Sequence, residues 1–209
     1  MLAGQTMFDR QGHEVMLFPL DEMFITQGEH ADYCIDFVGW SPQTGQIAKY
    51  PYYAPCSCTC VAKGRDGDWV AFDSDNPVLC ADGVVRNVSW QQGHDDTPCN
   101  VGDHFNQGDL IGHTGTRGQA SGDHLHFNTA SEHYTEPWSG ELNNSMHIYD
   151  CCYVNNTNLY APLVYPWKTY KHSPTPKFSR SNKFPWVLYA KKLRNKLYNK
   201  KIYWQINLF

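Results

Sequence analysis

The sequence predicts a mainly β fold, a mostly antiparallel sheet followed by a basic C-terminal extension, and three observations carry that expectation. Residues 1–164 are dense in Gly, Asn, Asp and Ser, with short apolar runs set between turn signals. No stretch of that region sustains a helical period. From Tyr165 the composition changes: residues 165–209 hold 11 of the 17 Lys and Arg residues and none of the 21 Asp and Glu residues. The net charge of −4 is thus the small difference between an acidic globule and a strongly basic tail.

Taken in order, the apolar runs are Glu14 to Pro19 (EVMLFP), Trp69 to Phe72 (WVAF), Val84 to Trp90 (VVRNVSW) and Leu110–Ile111 before Gly112. The segments GRDGD, DSDNP, ADG and GTRGQASGD separate strands by tight turns. Pro166, Pro174, Pro176 and Pro185 then mark residues 165–185 as an extended Pro/Lys-rich linker. Residues 186–209 form a basic aromatic tail, in which Tyr189, Leu193 and Leu197 at i, i+4 steps fit one amphipathic helix.

With 209 residues, 41% hydrophobic and 18% charged, the chain can bury a core and is not a disordered polymer. No apolar run approaches the roughly 18–20 residues of a membrane span. The first residues, MLAGQTMFDRQGHEV, carry neither the basic nor the apolar region of a secretory signal, which implies synthesis in the cytoplasm. The eight cysteines are then expected to start as free thiols, with disulfide pairing left open.

The segment Gly122-Asp123-His124-Leu125-His126-Phe127 carries the strongest chemical signal. On a strand, alternation puts His124 and His126 on one face and turns Leu125 and Phe127 to the other, into a core. Two imidazoles on one face can share a metal, or one can bind metal while the other handles a proton. Upstream, GEHADYCIDF offers His30 and Asp36, and with His126 these make a His/Asp/His set that suits Zn²⁺ with a fourth position open. A third element, His94, follows the VVRNVSW run in WQQGHDD. His104 and His113 lie near the same segments and are the nearest substitutes. The Cys56-Ser57-Cys58-Thr59-Cys60 run could place three thiols on one strand face, with Cys80 or Cys99 as a further ligand, but small buried thiols are the commoner outcome.

An early His…Asp pair, a mid-chain His, VGD…QGDLIG and then TG…G…GDHLHF resemble the LytM/lysostaphin-like zinc endopeptidases, peptidase family M23, most of all those of phages and prophages of Gram-positive bacteria. The resemblance runs from about Phe18 to Phe127 and more loosely to Tyr165. It implies a twisted sheet flooring a groove, one Zn²⁺ held by His30, Asp36 and His126, and catalytic roles for His124 and His94. It also implies hydrolysis of peptide bonds in bacterial peptidoglycan, by an endolysin freed on lysis or by a virion-associated wall hydrolase. Two departures stand out. Five residues separate His30 from Asp36 where most members have three, so Asp32 is a rival ligand, and the mid-chain Tyr-x-His-Leu is here Gln-Gly-His-Asp. The alternatives are an inactive domain of the same fold serving as a structural or binding module of a phage tail, and a related zinc carboxypeptidase or dipeptidase. The chain has HLH and no Glu-x-x-His, which disfavours the latter. For the basic tail the expected partners are anionic wall polymer, lipid or another phage protein, with no specific nucleic-acid binding.

Overall fold

The computed structural model describes residues 1–135, 142, 144–160 and 165–171. Met1–Lys171 make one compact unit and His172–Phe209 a second. The second unit, with the rest of the expected linker and the tail helix at 186–209, lies outside the described residues.

The first half of the chain supplies β1 (Glu22–Gln27), β2 (Ile35–Ser41), β3 (Gly45–Ile47), β4 (Pro51–Tyr53), β5 (Cys58–Lys63), β6 (Trp69–Ser74), β7 (Val78–Leu79), β8 (Val85–Arg86) and β9 (Ser89–Gly93). There follow β10 (His104–Phe105), β11 (Leu110–His113), β12 (Leu125–Ala130), β13 (Ser145–Met146), the one-turn helix α1 (Ile148–Cys151) and β14 (Asn158–Leu159). The large sheet runs β10-β5-β6-β9-β12-β2-β1-β14, with β13 paired to β12 and β3 to β2. Two small ribbons, β4/β11 and β7/β8, stand apart from it. The mainly β expectation holds. Every pair in the large sheet is antiparallel except β1/β14, which is parallel at Glu22–Asn158 and Met23–Leu159. A parallel neighbour needs a long connection, so no local turn signal announces it.

The runs expected to be strands behave in three ways. WVAF and Leu110–Ile111 lie in β6 and β11, whereas VVRNVSW splits into β8 and β9. Glu14 to Pro19 forms only isolated bridges, Glu14 to Phe8, Val15 to Leu79 and Leu17 to Tyr153. Val15, Met16, Leu17 and Phe18 are all fully buried there, so this segment is covered on every side rather than alternating in and out.

The core lies on the opposite side of β12 from its histidines. Leu125 and Phe127 are fully buried, and Phe127 meets Phe18 edge-on, while Phe18 contacts Phe37 at 4.8 Å between ring centroids. Trp90 stacks on Phe72 at 5.3 Å. Each such side chain contributes about 1.5–3 kcal/mol through burial. Residues 165–171, at the start of the expected linker, lie on this unit: Trp167 packs edge-on against Phe18 at 5.7 Å, and Tyr165 joins the same cluster.

The Cys56–Cys60 run is part of this interior. Cys56, Cys58 and Cys60 are buried, and burial first, then neighbouring charges, pushes the Cys56 and Cys58 thiols well above their ordinary range. They pack as small apolar side chains. All eight cysteines are outside disulfides.

Candidate metal centre

The sheet register assembles the site. His126, at the start of β12, lies opposite Asp36 of β2 on one side and opposite Gly93 of β9 on the other. His94 follows Gly93 directly, and His30 sits in the turn that joins β1 to β2. His124 lies one residue before β12 and is tied by paired backbone hydrogen bonds to Gly115. Directly opposed residues in neighbouring strands approach to about 4.5–5.5 Å, so three adjacent strand ends are enough to bring these side chains together.

His30, Asp36, His94, His124 and His126 all line one cleft of about 530 Å³. His30 Nε2 lies 3.8 Å from Asp36 Oδ1, His126 Nδ1 2.9 Å from the same oxygen, and His124 Nε2 3.8 Å from Asp36 Oδ2. The His94 ring is centred 4.4 Å from that of His124 and 5.8 Å from that of His126. Asp36, and not its rival Asp32, is the carboxylate among the cleft-lining residues near His30. His104 instead pairs with Asp75, and His113 lies on the small ribbon; neither lines the cleft.

Three of the imidazoles share one backbone device. His30 Nδ1 lies 2.9 Å from the Gly28 carbonyl, His94 Nδ1 2.7 Å from that of Arg117, and His124 Nδ1 2.8 Å from that of Gly122. A carbonyl can only accept, so each Nδ1 carries the proton and each neutral ring keeps a bare Nε2 lone pair. This is the orientation that metal-binding or proton-accepting histidines require.

His94 is held in an uncommon backbone conformation, φ +72°. Its N–H donates to the Asp68 carbonyl and its carbonyl accepts from Arg117. The next residue, Asp95, is buried and anchors the loop: its carboxylate accepts from the Tyr52 hydroxyl at 2.6 Å, the His113 N–H at 3.0 Å and the Thr97 N–H at 2.8 Å. Gly93 makes room, since a Cβ there would lie 3.3 Å from the His126 Cβ.

The electrostatics favour an ionised Asp36 and a neutral His94. Burial raises the Asp36 carboxyl, but the His126 hydrogen bond and the nearby His126, His124 and His30 outweigh it and hold the group below the usual carboxylate range. Burial pushes the His94 imidazole below its ordinary value; His124 and His126 add to this, against the Arg117 carbonyl and Asp36.

Sequence reasoning missed several residues. Cys34 is one: ligand atoms of His30, Cys34 and His126 all lie within 4.8 Å of one another, and among the described residues this trio forms the metal-capable group. Its signal was its place two residues before Asp36. Gln91 lines the cleft, is 3% exposed, and its Oε1 has no hydrogen-bond partner among the described residues. Gln27, Asp68, Trp69, Gly93, Gln119 and Ser121 complete the walls. The donors present, two imidazoles and an ionised carboxylate with a thiol beside them, fit Zn²⁺.

No protein-family model matches the chain. Over 170 residues, 76% of this chain, it is 41% identical to Morphogenesis protein 1 of Bacillus phage B103, of which the match covers 45%. The chain therefore spans less than half the length of that relative. Among solved structures, it is similar to the antimicrobial peptidase lysostaphin from Staphylococcus simulans at 19% identity, covering 60% of this chain and 47% of that one with a TM-score of 0.42. The catalytic domain of the same peptidase gives 21% identity, 55% and 74% coverage and a TM-score of 0.38. The catalytic domain of a variant of the prophage-encoded M23 protein EnpA from Enterococcus faecalis gives 18%, 60% and 88%, with a TM-score of 0.34.

Proposed function

We propose that this chain is a zinc-dependent endopeptidase that hydrolyses peptide bonds of bacterial cell-wall peptidoglycan, working at the wall as part of a phage particle or after lysis. The observation that carries this reading is the convergence of His30, Asp36, His94, His124 and His126 on one cleft, three of the rings with Nε2 left bare. The HLH and QGDLIG resemblance adds the substrate class, and the phage relative supports the setting.

His30, Asp36 and His126 would hold the metal. Zinc bound there supplies Lewis acidity and acidifies a water toward a pKa of ~7. The Nε2 atom of one of the pair His94 and His124 would take the single proton from the attacking water and relay it, while the other, when protonated, would donate to the carbonyl oxygen as charge grows on it. The carbon–nitrogen bond then breaks, and the amine leaves with the relayed proton. Gln91 Oε1 offers an acceptor to a substrate N–H at the cleft floor. The basic residues 165–209 would draw the enzyme to anionic wall polymers.

A second reading, a structural or wall-binding part of a virion, draws on the relative's name, a morphogenesis protein. Mass spectrometry of purified wall after incubation with the full chain separates the two. New peptide termini that disappear with a chelator are the expected result. Bound but uncut wall would establish the second reading instead.

A further inference from the structure

We propose that the Cys34 thiol is a fourth protein donor to this metal, so that His30, Cys34, Asp36 and His126 together surround the ion. The inference rests on the zinc reading above and adds to it a ligand that the HLH resemblance does not supply.

The turn between β1 and β2 creates the juxtaposition. The His30 N–H donates to the Cys34 carbonyl at 3.0 Å, and the Cys34 N–H to the Ala31 carbonyl at 3.1 Å. Between them Asp32 and Tyr33 both adopt left-handed backbone angles, φ +53° and +58°. The chain thus folds back on itself within five residues, and residue 34 returns beside residue 30. Cys34 is 4% exposed, yet its thiol lies within 4.8 Å of ligand atoms of both His30 and His126. Two residues later Asp36 meets His126 across the β2/β12 pair. No other cysteine shares such a group with histidine among the described residues.

Zinc accepts thiolate, imidazole and carboxylate alike, and four protein donors make a closed set, whereas three leave a position for water. A thiolate also shifts preference toward softer ions. Cys34 would therefore compete with water for the last position on the ion.

Cobalt(II) in place of zinc reports on this directly. The full chain loaded with one cobalt is expected to show a strong near-ultraviolet thiolate-to-cobalt charge-transfer band. Cys34→Ser is expected to bind one cobalt and lose that band. In the wild-type chain, cobalt is expected to slow alkylation of Cys34 by iodoacetamide, read by peptide mass spectrometry. This second measurement needs no variant and decides the matter if Cys34→Ser does not fold. One cobalt bound without the band, a band that survives in Cys34→Ser, or equal alkylation of Cys34 with and without cobalt would overturn the thiol ligand and leave the His30/Asp36/His126 site standing. Failure to bind cobalt at all would overturn both readings.

Discussion

Two stretches of this chain carry chemistry-bearing residues at alternate positions, and they end in opposite environments. His124 and His126 open onto the cleft, whereas Cys58 and Cys60 lie in the interior. Alternation on a strand guarantees that two such side chains share a face, but it does not say which face. The intervening residues decide. Leu125 and Phe127 are buried, so the histidines must turn to the cleft; Thr59 is half-buried on the other side of β5, so the cysteines turn in. Burial then fixes the chemistry. The Cys58 thiol becomes inert packing, the Cys60 thiol is engaged by Cys99, and the histidines keep their lone pairs.

The largest expected effects break this contrast on the histidine side. His126→Ala is expected to lose both bound zinc and hydrolysis of wall peptide, whereas His124→Ala should keep zinc while its rate falls by about 10²–10⁴-fold. Metal stoichiometry and turnover, measured on the same samples, check the split; loss of zinc in both variants would merge the two roles. On the buried side, Phe127→Ala should cost about 3–5 kcal/mol in urea unfolding. Cys58→Ser, which buries a hydroxyl where a thiol packed, should cost about 1–3 kcal/mol and leave the zinc content unchanged. A drop in zinc content would show that the cysteine run does bind metal. The smallest effect is in pH dependence. Because burial holds His94 below the ordinary 6.5, its own ring should take up a proton only below that value, read by NMR titration of its ring signals in the metal-free chain. A His94 step at or above pH 6.5 would show that burial does not keep this ring neutral.

Much of the site was legible because its parts are local. The HLH alternation, the glycine-rich turn before it and the His30…Asp36 pair all appear as short patterns, and sheet register brought them into line. What was not legible depends on partners far away in the chain. The left-handed His94 is set by hydrogen bonds to Asp68 and Arg117 and by Asp95 anchored on Tyr52, none of which a residue pattern around position 94 encodes. Cys34 looked like one more small thiol, since its approach to His30 depends on two successive left-handed residues that are neither Gly nor Asn. Burial of the Glu14–Pro19 run on all sides, and the packing of Tyr165 and Trp167 onto the core, likewise follow from tertiary contacts alone.

The β1/β14 pair gives the molecule a dependence that its site does not advertise. Strand β1 leads directly into the turn that carries His30, and its outer side is covered by Asn158–Leu159. A chain shortened ahead of that segment would keep every cleft residue named above and yet present a bare strand margin, the kind of surface on which separate copies stick together. A stretch that lies away from the cleft thus protects the strand that leads to His30, and a minimal fragment of this unit has to be cut with Asn158–Leu159 included.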